Sequence, residues 1–528
     1  GLSGFPKPSE SPHDAFVAGH ASTSVSAALG MARARTLQNR NYSVVTVTGD
    51  GALTGGMIYE ALNDAGQSRE PLIIILNDNE MSITKNVGAI AKTLAKLRIK
   101  PRYFKVKRVL TAVLLRLPFG NSILSLLRLL KKRIKNAFLA GSFFENMGFI
   151  YLGPVDGHDI SALTHLLRYA RDLKKPVIIH ALTQKGKGYR FSEENPEIYH
   201  GVSKFDVATG VDTSNGRSFS SVFGHTLCAL AEDDEKICAI TAAMGDGTGL
   251  LPFSKRFPKR YFDVGIAEEH AVTMASAMAK QGMHPVCAIY STFLQRSFDQ
   301  VIHDTAIDNI HTVFAVDRAG FVGEDGETHN GVFDVGMFSM IPGVTIYSPS
   351  SYNELSSMLK KALYETEGLV AVRYPRGKEG AFKGDFSHES ASVLVSGRDI
   401  TIVSYGILIN EAVSAAEELS QKHGISAEVI KLNRIFPFEF GIVFESLKKT
   451  RKLVVSEDCV ASGSIGEKLS EAVLSSGPVL KTLVLLNSGD RFTKQSTVRE
   501  AWESCSIDSG GIVKACLEAL SGEREEKA

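Results

Sequence analysis

Short runs of apolar and β-branched residues recur along the chain, and each is followed by a stretch whose apolar positions have helical spacing. The runs end at Gly, Asp or other polar residues, which is typical of buried strands. They lie at 43–48, 72–76, 177–182, 238–241, 286–290, 312–316, 344–347, 370–374, 400–405, 453–457 and 482–486. This alternation predicts an α/β fold built from doubly wound, mostly parallel sheets.

Two polar stretches, 191–218 and 377–397, interrupt the alternation. Their mixture of Gly, Ser, Pro and charged residues is typical of connectors between domains. They divide the chain into three predicted domains, at 1–200, 218–378 and 395–528.

Composition narrows the class of protein. The 528 residues suffice for several hydrophobic cores, and 44% hydrophobic with 22% charged residues is ordinary globular usage. The chain has 59 basic and 58 acidic residues, so its overall charge does not favour binding to nucleic acid or to a membrane surface. Six scattered cysteines without a CxxC pair argue against structural zinc and fit a reducing compartment. We expect no membrane span, since no apolar run approaches the required length.

The segment at about 88–140 differs from the rest of the chain. No acidic residue lies between Glu80 and Glu145, and basic patches within 92–135 alternate with leucine-rich stretches. Basic amphipathic stretches bind membranes or nucleic acid in some proteins. Because the total charge is balanced, we favour a helical insert that covers a site for anionic substrates.

Polar residues follow two predicted strands that are consecutive along the chain. Asp50 ends the first, and Asn79 ends the second after an intervening helical stretch at 54–65. A right-handed crossover places both at the carboxyl edge of a parallel sheet, where such sheets bind ligands. A carboxylate, an amide oxygen and the backbone carbonyl of Met81 would suit Mg²⁺, and Gly51 would let a diphosphate approach the backbone.

The sequences GDGALTGGM and NDNEMSI together resemble the thiamine-diphosphate motif of the transketolase superfamily. Other stretches narrow the resemblance to the 1-deoxy-D-xylulose-5-phosphate synthases: GHASTSVSAALGMA, GPVDGHD, KGKGY, RYFDVGIAEEHAV, AIYSTFLQRSFDQVIHD, DRAGFVGEDGETHNGVFD and AVRYPRG. The resemblance implies two thiamin diphosphate-binding domains followed by a transketolase C-terminal-like domain.

This resemblance also implies an activity. Pyruvate would lose carbon dioxide and be joined to D-glyceraldehyde 3-phosphate, with thiamine diphosphate and Mg²⁺ as cofactors, in a homodimer of the bacterial cytoplasm or of plastids. The product would feed isoprenoid, thiamine and pyridoxal synthesis. The family's N-terminal stretch, with a DxGHQ-like motif, is expected to precede the point where this sequence begins. The alternatives are a transketolase-like ketol transferase and a non-catalytic relative that acts as a binding partner.

Site residues follow from the matched motifs. Cofactor contacts are implied for Gly19, His20, Ala21, Gly51, Ala52, Asn79, Tyr189, Glu268 and Phe293. Catalytic roles are implied for His20, Glu268, Asp325 and His329, and substrate binding for Tyr290, Arg318, Asp325 and Arg376. Metal ligands are implied at Asp50, Asn79 and Met81. Arginine forks suit the phosphate of a triose phosphate, since they bind its oxygens through paired hydrogen bonds.

Glu268 matches the family's Glu beside the aminopyrimidine ring of the cofactor, where a mostly apolar pocket would raise its pKa and keep a proton available. Glu269 stands where the family often has Gln, and we expect its side chain to point elsewhere. Some positions allow a purely structural interpretation: His20 as a helix cap, Lys185 and Lys187 as a solvated turn, and Phe293 as core.

Overall fold

The computed structural model describes residues 3–79, 81, 141–202, 205–211 and 216–521. The chain forms two compact units. The smaller unit comprises His20–Val211 and Gly265–Ala267, and the larger unit comprises Gly1–Gly19, Asp212–Val264 and Glu268–Ala528. Within the described residues, no helix combines the length and hydrophobicity that crossing a membrane requires.

The smaller unit is built on a four-stranded parallel sheet with the order β1-β2-β4-β3. Its strands are β1 (Val45–Gly49), β2 (Ile73–Asp78), β3 (Ile150–Asp156) and β4 (Val177–Leu182). Its helices are Ser24–Leu37, Met57–Ser68, Gly141–Asn146, Ile160–Asp172 and Arg190–Glu194, with a 3₁₀ turn at Asp50–Thr54. Apolar clusters cover both faces of the sheet, with Ile74 on one face and Ile73 on the other.

The larger unit contains a seven-stranded sheet with the order β14-β9-β10-β8-β7-β5-β6, parallel except where β14 pairs with β9. The strands are β5 (Ile237–Thr241), β6 (Tyr261–Asp263), β7 (His284–Tyr290), β8 (Thr312–Asp317), β9 (Thr345–Tyr347), β10 (Leu369–Arg373) and β14 (Arg434–Phe436). The helices around it are Phe219–Asp233, Leu251–Arg256, Glu268–Lys280, Ser291–Leu294, Phe298–Gln300, Asp334–Ser339 and Tyr352–Tyr364, with helical turns at Gln295–Ser297 and Val301–Ala306.

A five-stranded sheet with the order β11-β13-β12-β15-β16 completes the larger unit, and only its β11 edge is antiparallel. Its strands are β11 (Ala391–Val395), β12 (Ile400–Tyr405), β13 (Ala427–Leu432), β15 (Lys452–Ser456) and β16 (Thr482–Leu486). The helices are Ile409–His423, Gly441–Thr450, Ile465–Ser476, Val498–Cys505 and Ser509–Ser521, with a 3₁₀ turn at Gly406–Leu408. One apolar cluster joins the two sheets, because it includes Phe314 of β8 and Leu453 of β15.

Local sequence accounts for several helix ends. Ser218 and Ser221 form a reciprocal capping box at the start of Phe219–Asp233, which satisfies backbone N–H groups that a helix leaves unpaired. Gly424 ends Ile409–His423 in the left-handed region, at φ 66°, where a residue without Cβ is favoured. All six cysteines are free and buried.

The predicted fold class is confirmed: all three sheets are mostly parallel and lie among helices. The helix expected at 54–65 is shifted, because the pair Gly55 and Gly56 separates a 3₁₀ turn from a helix that begins only at Met57. The basic segment at 88–140 lies outside the described residues. The three domain limits stay a prediction.

Candidate active site

Asp50 and Asn79 follow neighbouring strands of the smaller unit. Strands β1 and β2 pair in parallel with Gly49 opposite Asn77, so the adjacent strand ends expected from the sequence are confirmed. Asp50 is 4% exposed, and its Oδ1 accepts a hydrogen bond from the Gly51 N–H at 3.2 Å. The Asn79 Oδ1 accepts one from the Met81 N–H at 3.0 Å. Short turns therefore fix both side chains at the carboxyl edge of the sheet.

The middle residue of the Asn77-Asp78-Asn79 motif has a different environment. Asp78 is buried, and its Oδ2 lies 2.8 Å from Nε2 of His180 on β4. The Nδ1 of His180 lies 2.6 Å from the Tyr151 hydroxyl. Asp78 thus belongs to a buried polar network inside the sheet.

His20 and Ala21 immediately precede Ser22, which packs on the same turn as Asp50. The Ser22 hydroxyl donates to the Ala52 carbonyl at 2.9 Å, and a Cβ built on Gly55 would meet the Ser22 Oγ at 2.7 Å. The close approach explains a glycine here. Gly19 belongs to the larger unit, where a Cβ would come within 2.5 Å of the Thr328 Oγ1.

Lys185 and His200 form a pair that the sequence reasoning missed. The Lys185 Nζ lies 2.8 Å from the His200 Nδ1, and the Lys185 ammonium is within electrostatic range of Asp50. Burial and then the Lys185 charge lower the pKa of His200 to about 4. More than a third of His200 is exposed, so solvent weakens the shift, but the close ammonium still favours the neutral ring. Lys185 lies in a turn and is half-buried, so its interpretation as part of a solvated turn stays open.

Tyr189 packs in an aromatic cluster of the smaller unit. Its ring lies 5.5 Å from those of Phe191 and Tyr199, and its hydroxyl donates to the Val207 carbonyl at 2.9 Å. The contact with cofactor expected for Tyr189 stays a prediction.

Glu268 begins a helix in the larger unit and is 1% exposed. Burial raises its pKa to about 7, opposed by its backbone hydrogen bond and by Arg296, while Glu269 adds a small further rise. The Glu268 Oε2 has no hydrogen-bond partner among the described residues, and it lies 3.8 Å from the Arg296 guanidinium. Glu269 is only half-buried, and the divergence of its side chain from Glu268 stays a prediction.

Tyr290 and Arg318 lie at the carboxyl ends of β7 and β8. The Arg318 guanidinium stacks on the Tyr290 ring at 3.7 Å and donates to the Gly247 carbonyl at 3.0 Å. Arg376 follows β10 and pairs with Asp325 at 3.1 Å, with the two side chains 33% and 38% exposed. Both arginines act electrostatically on Tyr290, so the predicted phosphate-binding cations share one region.

His329 lies between two aromatic rings. Phe293 meets it edge-on at 5.2 Å, and Phe5 stacks on it at 4.6 Å with the planes 7° apart. Phe293 is also partly buried against the main apolar cluster of the larger unit, so the core interpretation holds beside its contact with His329. Phe5 was not anticipated from the sequence. Close to it, Lys7 forms an ion pair with Glu327 at 2.7 Å.

The loop at 318–331 carries Asp325 and His329, and its two ends are joined by hydrogen bonds between Gly320 and Gly331. The Asn330 side chain accepts from the Val322 N–H at 3.1 Å and donates to the Thr493 carbonyl at 3.3 Å. The C-terminal part of the larger unit therefore helps to position this loop.

Comparisons with known proteins agree with these motifs. The family model of 1-deoxy-D-xylulose-5-phosphate synthase matches residues 1–183, the transketolase pyrimidine-binding domain matches 215–380, and the transketolase C-terminal domain matches 389–487. A 1-deoxy-D-xylulose-5-phosphate synthase of Caldanaerobacter subterraneus is 45% identical over 98% of this chain and 84% of its own length. One of Desulforudis audaxviator is 48% identical over 90% of this chain and 76% of its own.

Solved structures agree on the fold. A split-gene transketolase, described as an inactive β4 tetramer, matches with a TM-score of 0.53 and 26% identity, over 58% of this chain and all of that one. A transketolase from Leishmania mexicana matches with a TM-score of 0.50 and 16% identity, over 97% and 82% of the two chains. The sequence relatives, at 45% and 48% identity over most of the chain, show that the chain belongs to the 1-deoxy-D-xylulose-5-phosphate synthase family.

Proposed function

We propose that this chain catalyses the thiamine-diphosphate-dependent decarboxylation of pyruvate and its condensation with D-glyceraldehyde 3-phosphate. The products are 1-deoxy-D-xylulose 5-phosphate and carbon dioxide, in the first step of the non-mevalonate isoprenoid pathway. The product would also feed thiamine and pyridoxal synthesis. The observation that carries the proposal is the buried Glu268 carboxyl, whose pKa is raised to about 7. A carboxyl that holds a proton near neutral pH is suited to proton exchange with the aminopyrimidine ring.

The residues present fit the cofactor. The Glu268 Oε2 is buried without a hydrogen-bond partner among the described residues, and a ring nitrogen would supply one. When bound, thiamine diphosphate supplies the carbon nucleophile and the electron sink for the decarboxylation. We assign the pyrimidine end of the cofactor to Glu268 and Phe293, and further contacts to Gly19, His20, Ala21, Gly51, Ala52 and Tyr189.

We propose Mg²⁺ as the metal that accompanies the diphosphate. Asp50, Asn79 and the Met81 carbonyl would supply oxygen ligands, with phosphate oxygens and water completing the octahedron. In the described part of the chain, no group of three or more His, Cys, Asp or Glu side chains is placed to hold a metal. A donor set with one carboxylate and several neutral oxygens suits Mg²⁺ better than a transition metal.

We propose that Arg318 and Arg376 bind the phosphate of the triose phosphate. Arg318 is held by the Tyr290 ring and the Gly247 carbonyl, so its remaining N–H groups keep a fixed direction. Arg376 is paired with Asp325, and we expect phosphate to replace this carboxylate on the guanidinium. Asp325, His329 and His20 would then orient hydroxyl groups or move protons.

Two further assignments rest on the family. We propose a homodimer, and we propose the bacterial cytoplasm as the compartment, since the relatives named above come from bacteria.

The test is carbon dioxide release from pyruvate by the purified chain with Mg²⁺ and thiamine diphosphate. We expect release to be stimulated by D-glyceraldehyde 3-phosphate. Activity with ketose donors but none with pyruvate would instead support the transketolase-like alternative. Cofactor binding without turnover of either substrate would support the non-catalytic alternative.

A further inference from the structure

A cavity of about 240 Å³ opens on the smaller unit at the amino ends of its strands. Its lining includes the residues that lead into β1 and β2, such as Ser43 and Leu72, and it includes Lys175, just before β4. Asp50 and Asn79 lie at the carboxyl ends of β1 and β2. Because a strand rises about 3.3 Å per residue, five or six residues separate the two edges by roughly 17–20 Å. The cavity is therefore distinct from the candidate active site.

The lining is strongly cationic. Five basic side chains and no carboxylate line the cavity: Arg35, Arg40, Arg171, Lys174 and Lys175. Two carboxylates lie nearby, where Glu70 pairs with Arg35 at 3.2 Å and Asp172 pairs with Arg171 at 2.9 Å. Across the described residues, Arg40, Lys174 and Lys175 form no ion pair. Three positive charges around one concavity are thus left uncompensated in a chain whose net charge is only +1.

Helix dipoles explain only part of this cluster. Arg35 and Arg171 lie in the last turns of helices Ser24–Leu37 and Ile160–Asp172, where a cation stabilises the dipole. Arg40, Lys174 and Lys175 lie beyond those helix ends. All three side chains are exposed, so solvent screens much of their mutual repulsion and leaves them accessible to an anion.

Arg35 is the buried cation of the lining. It is 7% exposed, and its guanidinium donates to the carbonyls of Tyr42 at 3.3 Å and Pro71 at 2.9 Å. These bonds hold a planar cation in place, whereas the other basic side chains of the lining are exposed. Neutral polar side chains on the rim, including Thr36 and Asn41, could donate or accept further hydrogen bonds.

We propose that this cavity binds a small anion bearing one or two phosphate groups. Phosphate oxygens accept paired bonds from arginine and point-charge contacts from lysine, and the lining offers both. At about 30 Å³ per liquid water, the cavity holds roughly eight waters, which is enough for a small phosphorylated molecule. The proposal does not rest on the proposed function, since no residue of the candidate active site lines the cavity.

Lysine labelling tests this directly. The full chain is first saturated with thiamine diphosphate and Mg²⁺, so that the diphosphate site is filled, and is then titrated with inorganic pyrophosphate at constant ionic strength and free Mg²⁺. An amine-reactive reagent is applied, and modification of Lys174, Lys175 and the control Lys514, which does not line the cavity, is quantified by mass spectrometry. We expect saturable, several-fold protection of Lys174 and Lys175 and no change at Lys514.

Two variants make the result specific. Arg40→Ala combined with Arg171→Ala removes cavity cations without touching the labelled lysines, and protection should disappear. Arg33→Ala is the matched control, because Arg33 lies on the same helix as Arg35 but pairs with Asp64 and does not line the cavity. It should retain protection. Thermal melting checks that each variant is folded.

Three outcomes would overturn the proposal. Protection reproduced by sodium chloride would indicate ionic screening only, and protection that persists in the double variant would place the anion elsewhere. Unchanged labelling at saturating pyrophosphate would mean that the cavity binds no such anion. Free phosphate and larger phosphate esters are distinguished by repeating the titration with inorganic phosphate. None of these readouts depends on turnover, so failure of the proposed function leaves the test intact.

Discussion

Two buried carboxyl groups, Glu268 in the larger unit and Asp50 in the smaller one, show how surroundings assign different roles to the same chemical group. Glu268 is buried with an oxygen that has no hydrogen-bond partner among the described residues, and its pKa rises to about 7. Asp50 accepts a backbone hydrogen bond from Gly51 and lies within electrostatic range of the Lys185 ammonium. At Glu268, burial outweighs the opposing backbone hydrogen bond and the Arg296 charge, and this favours the protonated form. Asp50 lies instead at the carboxyl edge of a parallel sheet, at the end of the strand next to the one that leads to Asn79. We therefore expect Glu268 to hold a proton and Asp50 to hold a cation.

Glu268→Gln should have the largest effect, because it preserves the shape of the side chain and removes the titrating proton. We expect kcat to fall by about 10²- to 10⁴-fold, the usual contribution of a proton-transfer group. Calorimetry should still show binding of thiamine diphosphate with Mg²⁺. Glu269→Gln, one position further on, is the control and should change kcat little. Loss of turnover and cofactor binding together would point to misfolding.

Glu268→Gln should also remove a loss of stability that the buried carboxyl causes as the pH rises. Burial raises the folded-state pKa of Glu268 to about 7 from the ordinary value of 4.5, so folding favours the protonated form. Its stabilising contribution is present below about pH 4.5 and is lost as pH rises through about 7. Relative to Glu268→Gln, the cofactor-free wild type should lose up to about 3 kcal/mol across this window. Thermal midpoints of both proteins at pH 5 and pH 8 measure this loss. An equal difference between wild type and variant at the two pH values would contradict the burial argument.

Asp50→Asn should weaken the metal-dependent binding of thiamine diphosphate by about 10- to 100-fold or more, since it removes the carboxylate from the ligand set. Titration of the cofactor at several Mg²⁺ concentrations measures the change. Asp78→Asn is an informative control, because Asp78 pairs with buried His180. It should lower the thermal midpoint and leave metal affinity nearly unchanged. Unaltered cofactor affinity in Asp50→Asn would remove Asp50 from the metal site.

A smaller effect is expected at Phe5, whose ring stacks on His329. Aromatic pairs are worth about 0.5–1.5 kcal/mol, so Phe5→Ala should lower kcat/KM for the triose phosphate by about 2- to 12-fold. Steady-state kinetics with varied triose phosphate provide the measurement. Phe16→Ala is the control in the same N-terminal segment, because Phe16 is largely exposed. Equal losses in both variants would argue that Phe5 has no specific role.

The sequence predicts the regular strands well and the irregular ones poorly. The runs 177–182, 400–405 and 482–486 match β4, β12 and β16 to the residue, because each is rich in apolar and β-branched residues. Strands β6 and β14 have three residues each and are too short to show a period.

Strand β13 was missed for a different reason. It carries Glu428 and Lys431, which look exposed in the sequence but are buried in ion pairs with Lys449 and Glu354. Sequence patterns identify strands on the assumption that charged residues are exposed. Ion pairing allows charged side chains to be buried, so that assumption fails here. Strand β11, its antiparallel partner, lies entirely within the stretch at 377–397 that we interpreted as a connector.

The candidate site also contains residues that could be placed from the sequence and residues that could not. Asp50 and Asn79 could be placed from sequence, because adjacent parallel strands bring their carboxyl ends together. The contact of Phe5 with His329 spans 324 residues and has no local signature. His200 lies in a polar stretch interpreted as a connector, and only its contact with Lys185 marks it as a candidate. The closeness of His200 to the KGKGY motif is the sequence feature that could have identified it as a candidate.

The most direct test of the central claim is hydrogen–deuterium exchange at the thiazolium carbon of bound thiamine diphosphate. Wild type and Glu268→Gln are compared by quenched-flow NMR at equal, near-complete cofactor occupancy and without substrate. If Glu268 holds the proton that activates the cofactor, exchange should slow by orders of magnitude in the variant. Equal exchange rates in the two proteins would contradict the account.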